Sequence, residues 1–452
     1  MEIDLKLMEI KNFKSCKDIK IEFGNFNVLI GANGSGKSNI IEAFRFLREI
    51  ISQGVINPFI KYGGYKNLVW RNDEALPISF SVVFGAEDVL RLEYSITISG
   101  YAGSFEVIQE EIKGKIKDEE IGILRKGRDE IIFKVRDVEI GMKVKTSSAP
   151  ILSSQFFDIF GFVESVSGIT SFSSANKKYE KYINCVGKKP DEEIKIFIRE
   201  IFMRLPVSLS TQPELLINPL SILFFLCREC INSIFVFNLI PQMMKLPSKF
   251  EEKELSYNGE NLQTFLFNIF SEHRGWPEEI TERLKILFPN MSNMSVISTP
   301  DGRIMLKVIE NEITLQMNSL SDGFFKILAI LALCFEYKYN PKYFAPNTSI
   351  DALEKFQKHA KKIIIIEEIE NNIHPEAIEI LIDALEASGN TIILTTHSPV
   401  VLNMTDIKDI LLVKKDVDET IVEKVKDTEK LKEELIKNGI SVGQGWLLGA
   451  LE

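Results

Sequence analysis

The chain has 452 residues, 45% hydrophobic and 26% charged, a balance typical of a soluble globular protein and unlike that of a disordered or fibrous one. A formal charge of -10 argues against a surface that coats nucleic acid throughout, though a local basic strip could still bind phosphates. Five scattered cysteines are too few for a disulfide framework and no run reads as a membrane span, so no membrane attachment and a reducing cytoplasm are expected.

In chain order, Ile19, Ile21 and Phe23 alternate as in a strand, and Phe26 to Ile30 forms a second strand that ends in a glycine-rich turn. Ile40, Ile41, Phe44, Leu47 and Ile51 follow at helical spacing. The runs ISFSVVF, RLEYSITIS and EIIFKV, between 78 and about 135, predict an antiparallel meander. At 113–147 ten basic residues, Arg125 among them, face seven acidic ones, which reads as a solvated strand face. Residues 155–290 read as mostly helical, punctuated by Pro206, Pro213, Pro219, Pro241 and Pro247. Cys227 and Cys230 there have no second cysteine pair and no nearby histidine, so they read as packing within a buried helix.

Strand pattern returns at 296–316, then a helix from about 322 to 337 and a surface insertion over 340–361. A strand at 363–366, a helix near 375–388 and a strand from 391 suit a parallel sheet. The Glu- and Lys-rich stretch 418–437 reads as a solvated helix. These elements predict an α/β fold with a mixed or parallel core sheet, an antiparallel meander lobe and an inserted helical subdomain. The expected division is 1–154, 155–290 and 291–452.

Four motifs carry chemistry. Gly31-Ala32-Asn33-Gly34-Ser35-Gly36-Lys37-Ser38 fits G-x-x-x-x-G-K-S between a predicted strand and a predicted helix. In such a loop the N–H groups of Asn33, Gly34, Ser35 and Gly36 turn toward phosphates, Lys37 reaches the β- and γ-phosphates of ATP, and Ser38 ligates Mg2+. The run Ile363 to Ile366 delivers Glu367 and Glu368 to a sheet edge, where one acid can hold the metal and the next can deprotonate water. His397, after another apolar strand, falls at the same edge, whereas His273, His359 and His374 sit in helical or turn contexts. Ser321 can cap the helix that begins Asp322-Gly323, and a capped helix start can receive an anion.

Together these motifs resemble the ABC-type ATPases of the RecF, SMC and OLD-like group. Ile10-Lys11-Asn12-Phe13-Lys14-Ser15 matches that group's opening, LSDG stands at its signature, EEIENNIHPE resembles its Walker B and D-loop stretch, and TTHSP contains its switch histidine. Asn258 to Leu262 and the run from Ser441 to Leu451 extend the likeness. The resemblance implies that Glu367 is the Walker B acid, Glu368 the catalytic base and His397 the switch. It also implies that Ser321 and Gly323 of one copy close on the ATP of another, giving an ATP-dependent head-to-tail homodimer. Gln155 is a candidate for the group's Q-loop residue. Many members have Asp where this chain has Glu367, and the extra methylene bears on magnesium geometry and turnover. No long heptad array stands between the lobes, so extended coiled-coil arms are not expected.

These features imply an ATP-driven switch in DNA repair or anti-phage defence, acting on DNA or through a separate effector such as a nuclease. About fifty residues follow His397, too few for an ordinary nuclease domain, so no cleavage by this chain alone is expected. A scaffold gated by nucleotide with negligible turnover is the first alternative. A transporter-type motor fits less well, because Phe324 follows the signature glycine where transporter ATPases have glutamine.

Overall fold

The computed structural model describes residues 2–86, 90–101, 103–116, 119–127, 130–135, 138–143, 150–152, 219–249, 254–338 and 361–451. Packing divides the chain into two compact units that interleave along the sequence. One comprises Met1–Glu22, Glu42–Ser233 and Tyr343–Ala360; the other comprises Phe23–Ile41, Ile234–Lys342 and Lys361–Glu452. The phosphate loop therefore packs with the C-terminal part of the chain, and 234–290 belongs to that same unit. Three consecutive domains were expected; contacts remote in sequence cut the chain differently. Gln155, with the rest of 153–218, and the predicted insertion over 340–361, apart from Lys361, lie outside the described residues.

The first unit holds the meander as an eight-stranded antiparallel sheet. Its order is Cys16–Glu22, Asp4–Phe13, Ile78–Ala86, Leu90–Tyr101, Ser104–Ile116, Glu119–Lys126, Glu130–Val135, Val138–Lys143. Along Leu90–Tyr101 every second residue is buried, as the alternating sequence requires of a strand with one covered face. Phe13, Phe46 and Phe80 meet at ring-centroid distances of 5.3 to 6.0 Å, and all three are fully buried. Helix Pro219–Asn232 packs on the meander and buries Cys227 and Cys230, as predicted; burial pushes the Cys227 thiol far up.

Arg125 departs from the solvated strand face expected of its segment. Arg125 and Glu110 are both 0% exposed, with Nη1 and Oε2 3.9 Å apart. Glu110 accepts from the Tyr94 hydroxyl at 2.7 Å and from the Ile151 N–H at 2.7 Å, while Arg125 Nε donates to the Gly127 carbonyl at 2.9 Å. Composition could not separate these two inward-facing groups from neighbours such as Lys113, which pairs with Glu111 at 2.8 Å on the surface.

The second unit is built on a six-stranded sheet in the order Ile234–Phe237, Ile363–Ile366, Thr391–Thr396, Phe26–Ile30, Ile410–Asp416, Glu419–Lys424. The first five strands are parallel and the last pairs antiparallel at the edge. Strands Phe26–Ile30, Ile363–Ile366 and Thr391–Thr396 are buried at every position, the pattern of parallel strands covered on both faces. A three-stranded antiparallel sheet, Met291–Ser298, Ile304–Glu310 and Ile313–Leu315, shares this unit's apolar core with helices Leu262–Glu272 and Asp322–Glu336. The stretch expected to be one helix over 418–437 is a strand, Glu419–Lys424, followed by helix Thr428–Lys437. The β-branched run Thr420-Ile421-Val422 favours the strand, and its edge position lets the flanking charges stay in water. The fold is thus mixed α/β, with a parallel core sheet and an antiparallel meander.

Candidate functional site

Strand register places the predicted residues together. Ile30 pairs with Thr396 and Ile366 with Leu394, so Gly31, Glu367 and His397 leave the sheet along one edge, at the carboxyl ends of neighbouring parallel strands. Such an edge is where α/β sheets bind ligands.

The loop is shaped by glycine and by the edge hairpin. Gly34 and Gly36 have φ of 78° and 106°, the region in which glycine alone is unstrained. A side chain at Gly36 would collide with Thr420, and one at Gly31 with the Val413 carbonyl. Thr420 donates its hydroxyl to the Ser35 carbonyl at 3.1 Å. Helix Lys37–Gln53 starts within the loop, three residues before Ile40, the first position its apolar spacing marked. Ser35 Oγ is buried without a hydrogen-bond partner, and Ser38 is exposed.

Lys37 Nζ donates to the carbonyls of Gly31 at 2.8 Å and Ala32 at 3.2 Å, and lies 3.5 Å from His397 Nδ1. An ammonium can only donate, so Nδ1 is the acceptor where this contact is a hydrogen bond. Nε2 in turn lies 3.9 Å from Glu368 Oε1. Burial lowers the Lys37 pKa to about 8, against the opposing charges of Glu368 and Glu370.

The two acids are held differently. Glu367 Oε1 accepts from the Tyr257 hydroxyl at 2.7 Å. Glu368 takes a left-handed φ of 46°, its N–H donates to Thr395 Oγ1 at 3.0 Å, and its carboxylate accepts from Asn371 Nδ2. The Glu368 carbonyl accepts from Lys326 Nζ at 2.7 Å. Lys326 is 2% exposed, and burial lowers its pKa to about 8.

Ser321 caps helix Asp322–Glu336 as predicted, its Oγ accepting from the Phe324 N–H at 3.2 Å. Gly323 packs so closely that an added Cβ would lie 2.6 Å from the Asn372 carbonyl oxygen. Asp322 pairs with Lys245 at 2.7 Å and accepts from Gln242 at 3.1 Å. The signature turn and the segment after the two acids are therefore packed together within this unit. His273 stands at the end of helix Leu262–Glu272 and His374 in the turn just before helix Pro375–Ala387; His359 lies outside the described residues.

Sequence reasoning missed Tyr257, Lys326, Glu370 and Thr420. Lys326 left a readable sign, a single charge within the apolar run FFKILAILALC. Tyr257 and Thr420 left none, because each reaches its partner across more than a hundred residues.

Two family models match the chain: “AAA ATPase domain” over residues 3–214, and “AAA domain, putative AbiEii toxin, Type IV TA system” over 257–403. The structural maintenance of chromosomes protein 1 of Arabidopsis thaliana is 28% identical over 187 residues, 38% of this chain and 14% of that protein. The DNA replication and repair protein RecF of Lactococcus lactis subsp. cremoris (strain MG1363) is 48% identical over 44 residues, 10% of this chain and 12% of RecF. The chain thus spans about an eighth to a seventh of the length of these two relatives. The Escherichia coli protein described as “Retron Ec83 probable ATPase” is 23% identical over 428 residues, 90% of this chain and 71% of that protein. These matches bear out the resemblance to ATPases of the RecF, SMC and OLD-like group. Among the described residues no helix is long and apolar enough to cross a membrane.

Proposed function

We propose that this chain binds ATP with magnesium on the loop Gly31–Ser38, hydrolyses it, and uses the cycle as a head-to-tail dimer switch. The carrying observation is the meeting of Lys37, His397 and Glu368 at one sheet edge, linked at 3.5 and 3.9 Å.

Lys37 would leave the loop carbonyls for the phosphates, with the N–H groups of Asn33, Gly34, Ser35 and Gly36 turned toward them. The oxygen donors of Ser38 and Glu367 suit a hard cation, and among the described residues no cluster of three acidic, histidine or cysteine side chains could hold one alone. Magnesium there would neutralise charge on the β- and γ-phosphates. Glu368 takes the proton of the attacking water as the water oxygen bonds to the γ-phosphorus and the bond to the bridging oxygen breaks, and His397 would hydrogen-bond the γ-phosphate. Ser321 and Gly323 of a second copy complete the site, so ATP joins the two copies and hydrolysis parts them.

Two relatives are named for chromosome maintenance and for DNA replication and repair, which supports a DNA-linked role; the pathway proposed is repair or anti-phage defence, working on DNA or through an effector such as a nuclease. Solution mass and phosphate release with magnesium and ATP test the reading. Wild type should hydrolyse ATP and Glu368→Gln should accumulate as a dimer with kcat down about 100-fold or more. Lys37→Ala and Ser321→Arg should remain monomeric. A mass independent of nucleotide, with full turnover by Ser321→Arg, would sink the shared site.

The Tyr257 hydroxyl on Glu367 favours a second reading, a nucleotide-gated scaffold with slow turnover. One burst of phosphate per site followed by near-silence, with ATP-dependent dimers intact, would decide for it.

A further inference from the structure

One carboxylate at this edge has no part in the chemistry above. The segment from Glu367 to Asn372 turns through left-handed residues at Glu368 and Asn372, with φ of 46° and 64°, and Ile369 between them is fully buried. This anchoring returns Glu370 toward the neighbouring strand, where its Oε1 accepts the main-chain N–H of His397 at 2.7 Å. Its second oxygen, Oε2, is buried with no hydrogen-bond partner. Glu370 as a whole is half-buried, but a carboxylate oxygen buried without a partner is costly unless its surroundings use its charge. The charge of Glu370 bears on two buried ammonium groups, Lys37 of the phosphate loop and Lys326 of the helix that Ser321 caps.

We infer that Glu370 is a positioning residue: its carboxylate holds the His397 backbone so that the imidazole stays between Lys37 and Glu368. The N–H of Ser398, one residue on, is held independently by Thr396 Oγ1 at 2.9 Å. The His397 anchor is therefore separable from the rest of the turn. A small displacement of a catalytic group costs rate far more than affinity, so losing the anchor should appear in kcat.

The inference rests on the ATPase reading, and its test has one arm that does not. In nucleotide-free protein, amide-resolved hydrogen exchange should show His397 exchanging about tenfold faster or more in Glu370→Ala, with Ser398 unchanged. Glu370→Gln, which keeps an acceptor oxygen, should restore protection. In turnover, Glu370→Ala should lower kcat by about 10- to 100-fold with the Kd for ATP within about threefold, and Glu370→Gln should recover most of that rate. Should the alanine variant not fold, Glu370→Asp takes its place, because its carboxylate is one methylene too short to reach the amide. Unchanged exchange at His397, a glutamine variant no better than alanine, or parallel losses of affinity and kcat would each overturn the inference. If the wild type itself releases no phosphate, the ATPase reading fails, and the exchange arm alone decides whether Glu370 holds His397.

Discussion

The two units each bury ionised side chains, and they treat them in opposite ways. In the meander, Glu110, Arg125 and Tyr94 meet out of reach of solvent, each tied to another protein group, and burial pushes Glu110 up to about 6. At the parallel-sheet edge, Lys37 holds loop carbonyls that on the proposed reading it exchanges for a phosphate, Glu370 keeps an oxygen without a partner, and His397 stands at long range from Glu368. A closed network commits its charges to the fold. An open one keeps them available for a ligand.

Substitutions that strike one region and read out in the other kind of measurement would break this contrast. The largest expected effect is on folding. Arg125→Met leaves Glu110 buried without its counter-charge and should cost about 3–5 kcal/mol in denaturant unfolding. ATP affinity of the folded fraction should not change; an affinity loss matching the stability loss would show the meander network to be functional. Lys326→Met comes next: freeing the Glu368 carbonyl should lower kcat about tenfold with ATP affinity kept. A variant that turns over normally would mean the lysine only fills space.

The smallest expected effect sharpens the contrast through pH. Lys37 has its pKa lowered to about 8 before nucleotide binds, and bound phosphate favours its charged form. Above pH 8 the free site has lost a proton that binding must recover, so the Kd for ATP should rise by up to about tenfold per pH unit. Below pH 8 it should be flat. Lys37→Arg, which stays charged throughout, should remove the dependence; a wild-type Kd flat to pH 10 would mean that Lys37 keeps its proton in the free site.

Legibility in the sequence followed the range of the interactions. Strand Phe26–Ile30, the loop after it, the Ser321 cap and strand Ile363–Ile366 were readable because each is specified by consecutive residues. The strand at Glu419–Lys424 was not, since its charged flanks imitate a solvated helix and only pairing with Ile410–Asp416 reveals it. Arg125 was grouped with surface lysines because side-chain direction in a mixed-charge strand depends on register. Lys326 and Glu370 stood in plain view, one in an apolar helix and the other inside a recognised motif, yet their partners come from distant segments. The interleaved units have the same origin: the strand that ends in the phosphate loop is completed by neighbours from the far end of the chain.

The hairpin Ile410–Asp416 and Glu419–Lys424 backs the phosphate loop from a great distance along the chain; Thr420 and Ser35 are 385 residues apart. Contacts of such separation form late, because a long stretch of chain must first be brought to order. During synthesis the loop emerges well before the hairpin against which Gly31 and Gly36 are moulded, since Thr420 follows Ser35 by 385 residues. A nascent or truncated chain therefore carries the full nucleotide motif without the surface that shapes it. Competence to take up ATP on the proposed reading is acquired only once that hairpin has been made, so nucleotide cannot pull the chain toward its native form before then.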